Sequence, residues 1–368
     1  MRVLIAPQEM KGSLTAAQAA QAIAAGLSAA RPEWTLELLP IADGGPGTLD
    51  FIASRLPRAE LRHCEADDPL GRPVQARWLM LEDGQTAVIE MAEASGLWRV
   101  APAERRILES STRGVGQLIR AALDAGCRRV IIGAGGSATN DAGAGAAWAL
   151  GVRFFDAAGQ PLEPTPAQLE RCARLDTSGL HPAVAHSDFE VWADVRSPLL
   201  GEHGATRLFG PQKGASGADL LRLERTLARL EQLAAPGSGA KPGLGAAGGL
   251  AWGLSTWCGA ATHPGFWSLA ALTGFDEVLK ACDRVLTAEG CLDVQSEFDK
   301  GPWALAKLAR RYEKPTTLFA GRLAIDVSHS PFEAVVIVGP ELPQSTAEAR
   351  HRLTACAHAW AEAVVAPA

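Results

Sequence analysis

The chain has 368 residues, enough for about two or three domains with a sizeable core. Its hydrophobic fraction of 47% and charged fraction of 21% are ordinary for a globular protein, and a net charge of −6 without a basic run argues against nucleic acid as a partner. Seven scattered cysteines without a C-x-x-C pair indicate neither a disulfide framework nor a zinc site.

The sequence predicts no signal or membrane-spanning segment. The first apolar run, residues 1–7, is too short for a signal peptide and is typical of a strand. No apolar stretch approaches the roughly 20 residues that span a bilayer. Scattered cysteines are usual where thiols stay reduced. We therefore expect a cytoplasmic monomer or homodimer that acts on a small molecule and binds no membrane.

Strands and helices alternate from the start of the chain. Val3–Ala6 and Leu36–Leu39 have the composition of strands. Between them, Leu14–Ala30 is an alanine-rich helix, and Thr15-Ala-Ala-Gln18 is the pattern of a capping box. The alternation of apolar and polar residues around Pro73–Leu81 predicts an antiparallel hairpin.

The same alternation returns further along the chain. Ala87–Ala92 and Arg129–Ile132 are predicted strands, with helix Gly116–Ala125 between them and Gly126 as its stop. The later predicted elements are strands Arg284–Thr287, Thr316–Ala320 and Ala334–Val338 around helix Trp303–Tyr312. Residues 150–275 carry fewer strand signals, a charged helix near Asp219–Leu233 and a glycine-rich stretch.

This pattern predicts an α/β fold with a doubly wound, largely parallel sheet and a second α/β domain inserted into it. We expect the Rossmann-like domain to be discontinuous, with residues 1–60, 85–149 and 276–368. The inserted domain would take residues 61–84 and 150–275. In such folds, ligands bind at the carboxyl ends of the strands.

A glycine-rich turn follows the predicted strand at 129–132, in the stretch VIIGAGGSATNDAGAG. Gly133, Gly135 and Gly136 allow a tight turn, and the following polar residues, Ser137, Thr139, Asn140 and Asp141, are helix-capping types. A glycine loop that leads into a helix can bind an anion through its backbone N–H groups. Its loose G-x-G-x-x-A pattern, with Asp156 downstream, fits a dinucleotide. A nucleotide phosphate and a plain capped turn remain open alternatives.

Charged residues and glycines follow the other predicted strands as well. They are Lys11, Gly12 and Ser13 after the first strand, Asp43, Gly44 and Gly45 after the second, and Glu289, Asp293 and Gln295 after the strand at 284–287. Phosphoryl transfer uses such groups, because carboxylates hold Mg²⁺, lysines neutralise phosphate oxygens and backbone amides cradle them. The chain has no G-x-x-x-x-G-K-[ST] motif, and histidine is sparse at these turns.

Eight segments along the chain carry one resemblance. They are Ala6-Pro-x-x-x-Lys11-Gly-Ser-Leu14, Ala42-Asp43-Gly-Gly-x-Gly-Thr48, Glu90-Met-Ala-x-Ala-Ser-Gly-Leu97, Gly135-Gly-Ser-Ala-Thr-Asn-Asp141, Ser197-Pro-Leu-Leu-Gly201, Phe209-Gly-Pro-Gln-Lys-Gly-Ala215, Gly245-Ala-Ala-Gly-Gly-Leu250 and Glu289-Gly-x-Leu-Asp-x-Gln295. In these segments and in their order, the chain resembles the bacterial glycerate kinase family, whose members use ATP to phosphorylate D-glycerate. The resemblance implies two α/β domains with the active site between them, and it assigns the glycine turn to ATP or glycerate.

The resemblance also implies ATP and Mg²⁺ as cofactors and suggests roles for individual residues. We expect catalytic roles for Lys11, Asp43, Asp293 and Lys300, and metal binding by Asp194, Glu289 and Asp293. The expected nucleotide- and substrate-binding residues are Gly12, Ser13, Gly44, Gly45, Gly135, Gly136, Ser137, Thr139, Asn140, Asp141, Lys213 and Gln295.

Several positions depart from the family pattern. Gln8 stands where an aspartate is usual, Cys291 where an arginine is usual, and Asp299 where a glycine is usual. These changes make a slow or specialised kinase one hypothesis. The alternatives are a catalytically weakened paralogue that senses a small acid or nucleotide, and a hydride-transferring dehydrogenase.

Overall fold

A computed structural model of the chain describes residues 1–10, 12–293, 296, 301–339 and 343–364. The strands are β1 (Arg2–Ile5), β2 (Thr35–Leu38), β3 (Glu60–Asp67), β4 (Pro73–Met80), β5 (Thr86–Glu90), β6 (Arg129–Gly133), β7 (Arg153–Phe155), β8 (Pro161–Leu162), β9 (Arg174–Asp176), β10 (Asp188–Trp192), β11 (Ala261–His263), β12 (Arg284–Leu292), β13 (Thr316–Leu323) and β14 (Ala334–Ile337).

The helices alternate with these strands along much of the chain. They are α1 (Ala16–Ala30), α2 (Thr48–Arg55), α3 (Ala92–Ser95), α4 (Arg113–Asp124), α5 (Ala144–Ala149), α6 (Pro166–Leu169), α7 (Ala205–Phe209), α8 (Gly217–Ala234), α9 (Ala246–Cys258), α10 (Gly265–Thr273), α11 (Phe275–Ala281), α12 (Gly301–Arg311) and α13 (Thr346–Ala363). Short 3₁₀ turns lie at Leu97–Arg99, Pro102–Glu104, Ile107–Glu109, Pro182–His186 and Pro211–Lys213.

The chain divides into two compact units. Unit 1 comprises Met1–Asp43 and Phe266–Ala368, and unit 2 comprises Gly44–Gly265. These bounds differ from the predicted ones, since residues 44–60 and 85–149 lie in unit 2 and residues 266–275 lie in unit 1. The physical reason is strand pairing, because β6 lies between β5 and β10 in a unit 2 sheet. The β-α alternation is alike in both units, so the sequence pattern alone does not separate them.

The described strands of unit 1 form one parallel sheet in the order β14-β13-β12-β1-β2. From β1 the chain continues to β2 on one side of the sheet and later to β13 and β14 on the other. The order therefore reverses between β1 and β12, and such a switch point leaves a crevice at the carboxyl ends of the two strands. The predicted α/β class with a largely parallel sheet is confirmed.

Helices cover both faces of this sheet. Along β13, Phe319 packs into a core with α1 and α13, whereas its neighbours Leu318 and Ala320 pack with Trp303 of α12 on the opposite face. This alternation is the period of a strand that is buried on both sides. The predicted capping box of α1 is confirmed, since Gln18 N donates to Thr15 Oγ1 at 3.2 Å and Thr15 N donates to Gln18 Oε1 at 3.0 Å.

Unit 2 contains a mixed sheet in the order β11-β10-β6-β5-β4-β3. The strands from β11 to β5 are parallel, and β3 and β4 form the antiparallel hairpin predicted around Pro73–Leu81. Val130, Ile131 and Ile132 of β6 are fully buried, as their β-branched side chains predict for a central strand. A small antiparallel sheet, β8-β7-β9, lies in the same unit. Within the described ranges, no helix is long and apolar enough to cross a bilayer.

Candidate active site

The switch point of the unit 1 sheet brings three strand ends together. Gln8 follows β1, and its N–H donates to Ala288 O of β12 at 3.1 Å. Its side-chain Nε2 donates to Asp43 Oδ2, beyond the end of β2, at 2.5 Å. Both side chains are partly exposed. Asp43 is therefore placed at this edge by an amide partner that the sequence analysis noted only as a departure from the family pattern.

Two of the predicted carboxylates share one partner: Glu289 lies within the last four residues of β12, and Asp293 directly follows the strand. Ser296 Oγ donates to the Glu289 carboxylate at 3.4 Å and accepts the Asp293 N–H at 3.2 Å. Ser296 N donates in turn to Asp293 Oδ1 at 3.2 Å. Ser296 is fully buried, whereas Glu289 and Asp293 are only partly buried. The serine thus fixes both carboxylates at the switch point while leaving them accessible.

A cation missed by the sequence analysis lies on the neighbouring strand. Arg322 of β13 is the register partner of Cys291 of β12. Its Nη2 reaches Cys291 Sγ at 3.5 Å. Cys291 stands where the family pattern has an arginine, so the adjacent strand supplies a guanidinium to the same part of the sheet edge. This pairing depends on strand register, and no local motif indicates it.

Two of the predicted binding residues after β1, Gly12 and Ser13, lie within the described residues. Gly12 has a left-handed φ of 78°, and Ser13 Oγ donates to Met10 O at 2.9 Å. Three further predicted site residues, Lys11, Gln295 and Lys300, lie outside the described residues, as does Asp299.

In unit 2, two glycine loops pack backbone against backbone. Gly135 N donates to Gly44 O at 3.0 Å, and Ala134 N donates to Trp192 O at 3.0 Å. A Cβ at Gly44 would lie 2.7 Å from Trp192 O, and a Cβ at Gly133 would lie 2.5 Å from Gly44 O. Any side chain at these positions would clash with main-chain atoms that cannot rotate away, so the close approach requires glycine.

Other members of these loops complete the same packing. A Cβ at Gly135 would meet the backbone of Gly45, whose carbonyl accepts the Thr48 hydroxyl at 2.6 Å. Gly136 has a left-handed φ of 72° and is exposed. The loop after β6 therefore reaches the surface near Gly136.

Glu90, at the end of β5, is hydrogen-bonded to the loop that leads into α2. Its side chain is 3% exposed, and Oε2 accepts the N–H groups of Gly47 and Leu49 at 3.1 and 3.3 Å. These donors belong to the start of α2, where a carboxylate is favourable. Burial raises the pKa of Glu90 to about 8, although the hydrogen bond from the Leu49 N–H acts to lower it. Glu90 belongs to one of the eight motif segments, but the sequence analysis assigns it no role.

Lys213 holds the other loop. Its Nζ donates to Ser137 Oγ at 2.7 Å and to Thr139 O at 2.8 Å, and the residue is only 3% exposed. Burial lowers the pKa of Lys213 to about 7, although the negative charge of Asp141 acts to raise it. The Lys213 side chain therefore joins the turn Pro211–Lys213 to the loop after β6.

Asp141 and Asn140 are also buried in this network. Asp141 accepts from Thr112 N and Oγ1 at 2.7 and 2.8 Å and from Gly143 N and Gly145 N at 3.1 Å, and burial raises its pKa. Asn140 Nδ2 donates to Thr206 Oγ1 at 2.8 Å. Helix α5 begins only at Ala144, so residues 137–141 form a loop rather than a helix cap. Amides at the start of α5 already donate to Asp141.

Asp194, one of the predicted metal ligands, follows β10. Its Oδ1 accepts the Gly265 N–H at 2.6 Å, at the first residue of α10. Among the residues that the structure describes, no group of three or more His, Cys, Asp or Glu side chains is arranged to hold a metal ion. A site for Mg²⁺ would instead use one or two carboxylates and complete its shell with water and phosphate oxygens.

The family model for the glycerate kinase family matches residues 3–365. The chain belongs to the glycerate kinase family. It is 41% identical to the glycerate kinase of Bacillus subtilis (strain 168) over 89% of this chain and 86% of that protein. It is 40% identical to the glycerate 2-kinase of Escherichia coli (strain K12) over 89% of this chain and 87% of that protein.

A solved structure supports the same assignment. A Salmonella typhimurium LT2 protein assigned as glycerate kinase 2 is similar with a TM-score of 0.76 and 37% identity, over 98% of this chain and 97% of that one. The family predicted from the eight motifs is therefore confirmed. The relatives named here are kinases, and none of the three is named as a dehydrogenase.

The buried carboxyl group of Glu90 gives a pH-dependent prediction. Its folded pKa of about 8 lies above the ordinary value of 4.5, so between these values the folded state keeps a proton that the unfolded state has lost. Its contribution to stability is therefore greatest at low pH and is lost as the pH rises to 8. We therefore expect the free energy of unfolding of the wild type, relative to that of Glu90→Gln, to decrease as the pH rises. Urea titrations of both proteins at pH 5, 6.5 and 8 measure this difference.

The matched control for this experiment is Glu82→Gln, at an exposed acid of the same unit that pairs with Arg58 on the surface. Its pH dependence should parallel that of the wild type. An identical pH dependence for Glu90→Gln and the wild type would contradict the prediction.

Replacing Lys213 tests whether it holds the loop or contacts a ligand directly. Lys213→Met leaves the Ser137 hydroxyl and the Thr139 carbonyl buried without their donor, so we expect it to lower the free energy of unfolding by at least ~2 kcal/mol in urea. Lys241→Met, at an exposed lysine of the same unit, should leave stability unchanged within about 0.5 kcal/mol. An unaltered urea midpoint combined with a higher KM would instead indicate a lysine that faces substrate.

Proposed function

We propose that the protein is an ATP-dependent glycerate kinase, which transfers the γ-phosphoryl group of ATP to D-glycerate. The names of its relatives support this substrate. The observation that carries the proposal is the set of accessible carboxylates, Asp43, Glu289 and Asp293, at the switch point of a parallel sheet. Ligands of doubly wound sheets bind at this edge, and phosphoryl transfer needs carboxylates there.

Mg²⁺ is the metal cofactor in this proposal. Glu289 and Asp293 suit it because they offer hard carboxylate oxygens held near each other by Ser296. Asp43 lies at the same edge, and Asp194 remains a predicted ligand whose Oδ1 already accepts from Gly265. When bound, the ion neutralises charge on phosphate oxygens.

The chain's own residues have three tasks in the transfer. Asp43 orients the acceptor hydroxyl, since a loose transition state depends mainly on positioning and charge stabilisation. Lys11 and Lys300 offset negative charge on the transferring group, together with Arg322 at the same sheet edge. In unit 2, backbone amides beyond Gly135, near Gly136 and Ser137, hold an anionic group of a substrate, since the Gly135 N–H already donates to Gly44 O. In unit 1, Gly12 and Ser13 remain predicted binding residues.

The remaining predicted binding residues act mainly through the loops. Gly44 and Gly45 shape the backbone against which Gly135 packs. The buried residues Thr139, Asn140, Asp141 and Lys213 keep the loop after β6 in place. Their contribution is preorganisation, because fixed donors need no rearrangement when charge develops.

A comparison of acceptors tests the proposal. The protein with D-glycerate and MgATP should form ADP and a phosphoglycerate, with the phosphate on the 2-hydroxyl as the name of the E. coli relative suggests. L-glycerate should react much more slowly. A coupled ADP assay gives the rates, and ³¹P and ¹³C NMR locate the phosphate.

Two other outcomes would contradict the proposal. ATP binding without turnover of glycerate would support a sensor, and stronger thermal stabilisation by a nicotinamide cofactor than by ATP would support a dehydrogenase.

The Gln8–Asp43 contact predicts how the departure at position 8 affects metal dependence. Gln8→Asp would replace an amide 2.5 Å from Asp43 with a second carboxylate. Two carboxylates ~4 Å apart repel by about 4 kcal/mol at an effective dielectric of 20, and a divalent cation offsets this. We therefore expect Mg²⁺ to raise the Tm of Gln8→Asp more than that of the wild type, and the variant to need less Mg²⁺ for half-maximal activity.

Gln8→Asn is the matched control, because it keeps the amide and only shortens the side chain. It should respond to Mg²⁺ as the wild type does. Equal Mg²⁺-induced shifts in Tm for Gln8→Asp and Gln8→Asn would rule out a metal beside Asp43.

A further inference from the structure

A basic cavity of about 480 Å³ lies against α12 in unit 1. It is lined by Trp303, Lys307, Arg310 and Arg311 of the helix and by His329 and Pro331 of the crossover between β13 and β14. We call it the α12 groove. No carboxylate is among the described residues that line it. A groove of this volume accommodates a small organic ligand, and its lining predicts a negatively charged one.

Stabilisation of helix α12 does not by itself explain why the groove is positively charged. Arg310 and Arg311 end α12, where cations interact favourably with the helix dipole. That effect does not account for His329, which comes from a different segment. Lys307 is four residues before Arg311, a spacing at which like charges on a helix are unfavourable. The whole chain carries a net charge of −6, so this concentration of cations is local.

Two of the lining side chains, Trp303 and Arg311, are restricted by contacts with aromatic rings. Trp303 is 7% exposed and packs edge-on against Phe332, with ring centroids 5.7 Å apart. The Arg311 guanidinium lies 4.8 Å from the ring centroid of Trp267. Stacking restricts the arginine before any ligand arrives, which lowers the entropic cost of binding. Guanidinium groups pair with phosphate through two parallel hydrogen bonds.

The cations of the groove lie further along α12 than the end of the helix that is next to the candidate active site. Helix α12 begins beside that site, since a Cβ at Gly301 would lie 2.7 Å from Gln8 Oε1. Lys307, Arg310 and Arg311 are six to ten residues further along, which is roughly 9–15 Å at a rise of 1.5 Å per residue. We propose that the α12 groove is a second ligand site, which binds a small phosphorylated molecule carrying two or more phosphate groups.

Titration calorimetry with inorganic pyrophosphate and inorganic phosphate tests the groove on the whole protein. The wild type should bind pyrophosphate at least tenfold more tightly than phosphate, because two phosphate groups meet several cations. The double variant Arg310→Gln/Arg311→Gln should weaken pyrophosphate binding at least tenfold, or about 1.4 kcal/mol. The control Arg350→Gln, at an exposed arginine of α13, should bind as the wild type does.

The same variants show whether the groove is distinct from the substrate sites. The double variant should keep the KM values for ATP and glycerate within about twofold of the wild type, and a far-ultraviolet circular dichroism spectrum should confirm that it is folded. Failure of the wild type to bind pyrophosphate at millimolar concentration would overturn the proposal. So would equal binding by the double variant, or a tenfold rise in its KM for ATP, which would place the groove within the nucleotide site.

Discussion

Gly135 donates its backbone N–H to Gly44 O, and this contact fixes the geometry of the candidate site in unit 2. The ends of β6 and β10 and the loop before α2 approach so closely that only glycine fits at Gly44 and Gly133. Once the backbones are in contact, neither loop can move without disturbing the other. The exposed backbone at Gly136 is therefore held on a rigid base, which is what preorganised anion binding requires.

Two buried titratable side chains then hold these loops in place. Glu90 accepts two amides at the start of α2, and Lys213 donates to the loop after β6. Burying a charge is unfavourable unless it is hydrogen-bonded, and the pKa values of both groups are displaced toward their neutral forms. In unit 1 the carboxylates Asp43, Glu289 and Asp293 are only partly buried. Under the proposed function, these groups therefore have a structural role in unit 2, whereas the carboxylates of unit 1 have a catalytic one.

The sequence predicted the features that local pattern determines. The capping box of α1, the buried strand β6 and the antiparallel hairpin are each encoded within a few residues, and the order of the eight motifs identified the family. Contacts that depend on strand register could not be found in this way. Arg322 meets Cys291 only because β13 pairs with β12, and Gln8 meets Asp43 only because β1 pairs with β2. The sequence predicted a binding role for Lys213 but not its burial, because tertiary packing and not its glycine-proline neighbours decides its environment.

Phosphoryl transfer by the carboxylates at the switch point of the unit 1 sheet is the central claim. The most direct measurement is the single-turnover rate of glycerate phosphorylation by Asp293→Asn, beside the exposed control Asp326→Asn of the same unit. Removing a charge that acts on the transition state should lower the rate at least ~10²-fold, or about 2.7 kcal/mol, while Tm stays near that of the wild type. The control should react at the wild-type rate. A near-normal rate for Asp293→Asn would contradict the assignment of the active site to this edge of the sheet.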